Sequence, residues 1–405
     1  MNKKALVLGA GIQGILVAMQ LAKKGYEVKI LDKSSKALNR ASRFNEGKIH
    51  LGLIWANDRS FETANYILDS AMAFAPVIEE LVGEKAPCQN WLSTPFDYVC
   101  MQDSMLNKEE LQTFYDKLES KYQQDYFANA NYLGTRPDWL IRPKKEIPSY
   151  LNQNMVQGVW ETNELSIDIH AFSEWLLLKL KEFSTVELLL NEHIDELTKK
   201  SFGYRVSTTS AGKVNFYDAE VVVNCTWESR LALDKKLGFE PQHAWLYRLK
   251  HAVHAKLPKS LASIPSMTFV LGPYGDVVNF KGQQKAYISW YPEGMRDSTK
   301  SMVTPKEWEN ISEGIIDNKK EKDIIIKKML LGFEAVIPGL SQSTEREIGA
   351  GIIYSRGTTE ITDIKSELHQ RFNVGIVVED EGYFSIDTGK YTCAPLHAQQ
   401  LASKI

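Results

Sequence analysis

The residues best suited by type and spacing to do chemistry are Gly9-Ala10-Gly11-Ile12-Gln13-Gly14 and the carboxylate of Asp32, which follows the last of these glycines by 18 residues. Gly9 permits a tight turn. Gly11 has no Cβ, so backbone can approach a pyrophosphate. Gly14 lets a following helix pack close to a strand. The free N–H groups and positive dipole end of such a helix attract phosphate. Asp32, with Lys33 beside it, accepts hydrogen bonds from a ribose diol, and an acid there disfavours a 2′-phosphate. The pattern therefore points to a dinucleotide other than NADP, without separating FAD from NAD. A glycine-rich turn with no ligand is the alternative, and the flanking elements weigh against it.

Those elements are the ones a Rossmann βαβ unit needs. Ala5 to Leu8 is a continuous apolar run, as a buried parallel strand requires. Ile12 to Lys24 carries Ile15, Ala18, Met19 and Ala22 at helical spacing, and Gly25 terminates it. Tyr26 to Leu31 forms a second strand. A positively charged start before an apolar stretch also resembles a signal peptide. Gly9, Gly11, Gln13 and Gly14 break that stretch, and no small-x-small cleavage site follows.

A longer segment, Arg40-Ala41-Ser42-Arg43-Phe44-Asn45-Glu46-Gly47-Lys48-Ile49-His50-Leu51-Gly52-Leu53, resembles the S-x-x-N-x-G-x-I-H-x-G stretch of the D-amino-acid-oxidase-like FAD-dependent oxidoreductases. The nearest branch is that of the L-2-hydroxyglutarate and glycerol-3-phosphate dehydrogenases. The resemblance implies that Ser42, Arg43, Asn45 and His50 wrap the flavin. Asn224-Cys225-Thr226-Trp227 is similar to the family's N-A-x-G-x-W stretch, with a glycine missing near Trp227. Cys225 and Thr226 are then expected beside the cofactor. Gly389-Lys390-Tyr391-Thr392, ahead of a helix from Ala394 to Ser403, is similar to the family's C-terminal return, whose turn offers backbone donors to the flavin. His50 is the expected base for a substrate O–H or N–H proton. Arg356 is the expected grip on a substrate carboxylate, with Tyr354 donating nearby. A core role for His50 and a surface role for Arg356 are the competing readings. Tyr274, Tyr287, Trp290 and Tyr291 are either pocket walls or core.

The expected fold class is α/β (α+β overall). A Rossmann-type FAD-binding domain over 1–88, 150–240 and 338–405 is interleaved with an antiparallel-sheet substrate domain over 89–149 and 241–337. Helices are expected over Phe61–Val82, Lys108–Tyr122, Asp168–Phe183, Trp308–Asn318 and Lys320–Phe333, and a strand over Trp91–Met101. The 405 residues are 43% hydrophobic with a net charge of -3, so a two-domain globular protein is expected, with no basic block for nucleic acid and no apolar stretch long enough to span a bilayer. Cys88, Cys100, Cys225 and Cys393 show no CxxC spacing; free thiols, no metal site and a cytoplasmic location follow. No second GxGxxG opens a later βαβ unit, so the electrons are expected to come from a small-molecule substrate and pass to oxygen or another acceptor. Three functions stay open: an FAD-dependent oxidoreductase acting on a CH–OH or CH–NH bond of a small, carboxylate-bearing metabolite; a flavoprotein with non-redox or sugar-modifying chemistry; and a non-catalytic dinucleotide-binding protein.

Overall fold

The computed structural model describes residues 3–280, 285–315 and 319–405. The N-terminal residues build the expected βαβ unit: strand Lys4–Leu8, helix Ile12–Lys23 and strand Glu27–Asp32. A six-stranded sheet grows around it in the order Gly375–Asp380, Tyr383–Asp387, Val221–Asn224, Lys4–Leu8, Glu27–Asp32, Val186–Leu190. All pairings are parallel except that of the edge strand Gly375–Asp380. Leu8 lies in register with both Asn224 and Leu31. The three loops that follow, at Gly9, Cys225 and Asp32, therefore emerge together at the carboxyl end of the sheet, where open α/β sheets bind ligands.

Helix Ile12–Lys23 packs against the C-terminal helix Ala394–Lys404 and helix Glu62–Val82. In the last of these, Ala64, Ile67, Leu68, Ala71, Ala75 and Ile78 repeat at helical spacing and are buried. Asp168 caps helix Ile169–Leu180, accepting from the N–H groups of His170 and Ala171.

A nine-stranded, mostly antiparallel sheet forms the second layer. It runs Met295–Thr299, Trp245–Lys256, Lys285–Trp290, Gly275–Phe280, Ser266–Val270, Phe96–Met101, Val156–Thr162, Ile141–Pro143, with Thr344–Arg356 also pairing with Trp245–Lys256. The expected boundaries at 150 and 338 do not follow this sheet. Val156–Thr162 pairs with Phe96–Met101, and Thr344–Arg356 pairs along almost all of Trp245–Lys256, so both belong to the larger sheet. The hairpin Gly203–Ser210 and Lys213–Ala219 joins His193–Lys200 in a separate three-stranded sheet.

Two other expectations are shortened. The strand begins at Phe96 rather than Trp91, because the N–H groups of Ser93 and Thr94 bond to the Ser166 and Asn279 carbonyls and Pro95 has none to give. The helix expected over Trp308–Asn318 is Lys306–Ser312, ending before Gly314 at φ +86; its last three expected residues lie outside the described ones.

Candidate active site

A continuous groove runs along the carboxyl end of the six-stranded sheet. Its outer half is lined by Gly9, Asp32, Lys33, Arg40 and Glu228, its inner half by Gln13, Asn45, His50, Lys390 and Tyr391, and Gly11, Ser42, Cys225 and Trp227 line both. Gly9 adopts φ +98, and a Cβ there would stand 2.7 Å from the Cys225 carbonyl oxygen. A Cβ on Gly14 would meet the Gly9 carbonyl at 1.9 Å. Both glycines are thus required by packing. Gly11 has ordinary φ, and its Cβ would meet only Ser42 Oγ, at 3.1 Å. Its hydrogen leaves open the space before the helix.

The outer half suits an adenosine diphosphate. Asp32 Oδ2 accepts the Ala10 N–H at 2.6 Å and Oδ1 accepts that of Ser34 at 2.7 Å. These bonds fix the carboxylate at the groove wall, and each oxygen keeps a lone pair for a ribose hydroxyl. Burial raises its pKa against those two bonds. Lys33 is drawn to Glu309 at 2.5 Å, so its charge is spent on the helix Lys306–Ser312. Arg40, buried at φ +53 and 2.8 Å from Glu228, adds a cation that the sequence reading did not single out.

The wrapping segment is held at both ends. Ser42 Oγ accepts the Ile12 N–H at 3.0 Å. Asn45 closes its own turn, accepting from Gly47 N–H at 2.7 Å and donating to the Ala41 carbonyl at 2.9 Å. Thr392 Oγ1 accepts the His50 N–H at 3.0 Å, clipping the segment to the C-terminal turn from behind the groove. Arg43 does not line the groove; its guanidinium lies over the Phe44 ring. In the return turn, Gly389 at φ +63 donates to Asp387 Oδ1 and Lys390 N–H is spent on the Thr388 carbonyl. The N–H of Tyr391, first in its helical turn, has no intrahelical partner. Trp227, where the resembled family has a glycine nearby, adopts φ +56, a conformation suited to glycine.

His50 is buried, with its ring edge-on to Trp55 at 4.9 Å. Its Nε2 lies 3.8 Å from Glu46, and its Nδ1, which makes no hydrogen bond, lies 4.0 Å from the buried Glu164 carboxylate. Burial above all pushes the imidazole down to about 3; the nearby Glu46 carboxylate opposes this, while Lys390 and Lys48 add to it. Burial works to raise the Glu46 carboxyl, but Lys250, His50 and Lys390 hold it well below the usual range. Tyr287 and Tyr291 wall the inner half, whereas Tyr274 bonds Asp103 at 2.6 Å and Trp290 packs on Phe333 at 4.7 Å.

Beyond His50 and Lys390 the groove opens into a hollow that Tyr291, Tyr354, Arg248 and Arg371 also line. Both arginines are buried, and Arg248 Nε and Nη1 lack hydrogen-bond acceptors. Arg356 instead lines two outer hollows, one shared with Arg371. No sequence signal marked Arg248 or Arg371: one sits in a strand, the other in an irregular stretch.

The residues present fit FAD. Gln13 Oε1 and Tyr391 Oη are buried without partners and belong to side chains lining the inner half, as polar groups awaiting a ring system with donors and acceptors would be. A Rossmann sheet, a glycine-lined phosphate site and a walled inner chamber define a dinucleotide-dependent redox enzyme. The family model of FAD-dependent oxidoreductases (DAO) matches residues 4–307, and the chain belongs to that family. Its cofactor is FAD.

Solved structures share the fold. Glycine oxidase from Geobacillus kaustophilus is 14% identical, with a TM-score of 0.66 over 99% of this chain and 94% of that one. L-alpha-glycerophosphate oxidase from Mycoplasma pneumoniae, solved with FAD bound, gives the same four values: 14%, 0.66, 99% and 94%. L-proline dehydrogenase from P. horikoshii is 14% identical, with a TM-score of 0.62 over 100% of this chain and 94% of that one. No curated protein matches the sequence. Among the described residues, no helix is long and apolar enough to cross a membrane.

Proposed function

We propose that this FAD-dependent oxidoreductase oxidises a CH–OH or CH–NH bond of a small metabolite bearing a carboxylate. The observation that carries this is Arg248: a buried guanidinium with two unbonded N–H positions, in the hollow next to His50. Among the described residues its one neighbouring acid is Glu360, 3.5 Å from Nη1 and half-exposed, which leaves the buried charge incompletely compensated, and a carboxylate meets guanidinium geometry bidentately.

FAD bound in the groove supplies the acceptor for the hydride of the oxidised carbon. The protein's share is placement and proton handling. Arg248 and Arg371 anchor the acid. Tyr287 and Tyr291 wall the inner chamber and limit access of water. His50 Nδ1 accepts the hydrogen bond of the substrate's O–H or N–H and takes its proton; Glu46, beside Nε2, stabilises the imidazolium formed. An imidazole held near 3 is too weak a base at rest. Burial is the main cause and the cations Lys390 and Lys48 add to it, so an anionic substrate near them shifts it upward only in part.

Anaerobic mixing of the yellow holoenzyme with 2-hydroxy acids, amino acids and their uncharged alcohol and amine counterparts tests this reading. Bleaching of the flavin by acids, and not by the uncharged compounds, is expected. Bleaching by uncharged donors alone overturns it.

A further inference from the structure

Strand Thr344–Arg356 of the larger sheet and strand Gly375–Asp380 of the six-stranded sheet are joined by residues 357–374, whose one regular feature is a short helical turn, Glu367–His369. Connections longer than about 15 residues without secondary structure of their own are uncommon in compact domains, and usually serve as lids or binding loops. This one roofs the substrate hollow: Ile361, Leu368, His369 and Arg371 all line it. Gly357 and Gly375, at φ +96 and φ +97, bound the segment. Backbone at such positions can absorb the rotation that a hinge requires.

The segment is bonded to itself more than to the body beneath. The N–H groups of Asp363, Ser366, His369 and Gln370 all donate to carbonyls inside it, and Ser366 Oγ donates to the Thr359 carbonyl at 3.0 Å. Its outward polar tethers among the described residues are few. Asn57 Nδ2 donates to the Ile364 carbonyl at 2.6 Å, the Arg371 N–H donates to Thr63 Oγ1 at 2.9 Å, and Glu360 Oε2 stands 3.5 Å from Arg248 Nη1. Such a unit can open as a body while its internal bonds persist.

The Glu360 tether is the loosest of these. Arg248 Nη1 makes no hydrogen bond, and the Glu360 side chain is 47% exposed while that of Arg248 is buried. It is also the tether that touches the anchor for the substrate's carboxylate. Two carboxylates cannot both take the same guanidinium edge, and side by side they repel.

We propose that residues 357–374 are a lid over the substrate hollow and that Glu360 is its latch. In the substrate-free protein the Glu360 carboxylate occupies Arg248. The substrate's carboxylate displaces it as the lid opens, and the lid recloses with its own Arg371 against the bound acid. This rests on the reading of Arg248 as the carboxylate anchor.

The test uses the FAD-loaded parent, Glu360→Gln and Arg248→Gln. Propionate, which has a carboxylate but no CH–OH or CH–NH bond to oxidise, is titrated against the flavin absorption spectrum. Hydrogen–deuterium exchange over residues 357–374 is followed by mass spectrometry with and without saturating propionate. Glu360→Gln is expected to bind propionate roughly threefold to fivefold tighter, the worth of a half-exposed ion pair that no longer competes. Its ligand-free lid is expected to exchange faster than that of the parent, at an unchanged melting temperature. Propionate is expected to slow lid exchange in both. Arg248→Gln is expected to lose propionate binding.

If Arg248→Gln loses binding but Glu360→Gln binds propionate no more tightly than the parent, the latch is overturned and the carboxylate reading stands. Tighter binding with lid exchange identical to that of the parent reports only a removed charge and also overturns the proposal. So does a large fall in the melting temperature of Glu360→Gln, which assigns the ion pair to the fold. A parent whose spectrum propionate leaves unmoved, or an Arg248→Gln variant that binds it as the parent does, overturns the carboxylate reading and the latch together.

Discussion

Trp227 Nε1–H donates to the Ile352 carbonyl at 2.8 Å, tying the loop after the cofactor-sheet strand Val221–Asn224 to the strand Thr344–Arg356 of the larger sheet. Both residues line the inner groove. The bond therefore sets the distance between the cofactor-type sheet and the larger sheet across the groove. It also accounts for a bulky residue at φ +56, a conformation costing on the order of 1 kcal/mol or more for a side chain other than glycine.

Trp227→Phe keeps most of the ring and removes only the donor. The Ile352 carbonyl is left without this partner, so a loss of about 1 kcal/mol in unfolding free energy is expected, with weaker flavin retention. Urea unfolding and flavin content after gel filtration measure the two. Unchanged values for both contradict a bridging role.

His50→Ala removes the proton acceptor but neither the phosphate site nor the Ser42 contact to Ile12. The variant is expected to remain yellow and to be reduced by its substrate roughly 100-fold to 10,000-fold more slowly. Stopped-flow reduction under anaerobic conditions measures this. A variant reduced at the parental rate assigns His50 to the core instead.

His251 links pH to stability away from the flavin. It is buried, and burial first of all lowers it to about 4 against an ordinary value of 6.5. Its folded-state pKa lies below the unfolded one, so the folded state prefers the neutral ring. The full stabilising effect is present above pH 6.5 and is lost as pH falls toward 4, where the unfolded chain binds the proton and the folded chain does not. The loss across that window is on the order of 3 kcal/mol. Replacing His251 by Gln should flatten the decline in unfolding free energy between pH 6.5 and 4 by about one proton. A slope identical to that of the parent refutes the assignment.

The cofactor half was largely legible because its signals are local. Gly9, Gly11 and Gly14 sit in one turn, and Ile12–Lys23 and Asp32 follow within a few dozen residues. The Ser42–His50 wrap was legible only through resemblance, since nothing in its composition points to a flavin. Gly389 was placed correctly at the return turn, but its N–H and that of Lys390 are used internally, which only the folded turn reveals. The substrate half was much less legible. Arg248 and Arg371 meet through long-range strand pairing that brings Trp245–Lys256 and the segment after Thr344–Arg356 to the same cavity. Arg356, the residue expected to grip the carboxylate, ends its strand one hollow further out. The expected boundaries at 150 and 338 depart from the sheets for a related reason: Val156–Thr162 and Thr344–Arg356 were not marked as strands, and their partners are set by pairing across the chain.

In the proposed arrangement FAD lies along the groove from Gly9 to Gly389, with its phosphates over Gly11. The most direct measurement is the flavin content of the purified parent and of Gly11→Val, with circular dichroism and melting temperature as checks on folding. A Val side chain at this position crowds Ser42 Oγ and fills the space before the helix N-terminus. A yellow parent with one FAD per chain and a folded, colourless Val variant are expected. A folded Val variant that is as yellow as the parent, or a parent that takes up NAD and no flavin, contradicts the arrangement.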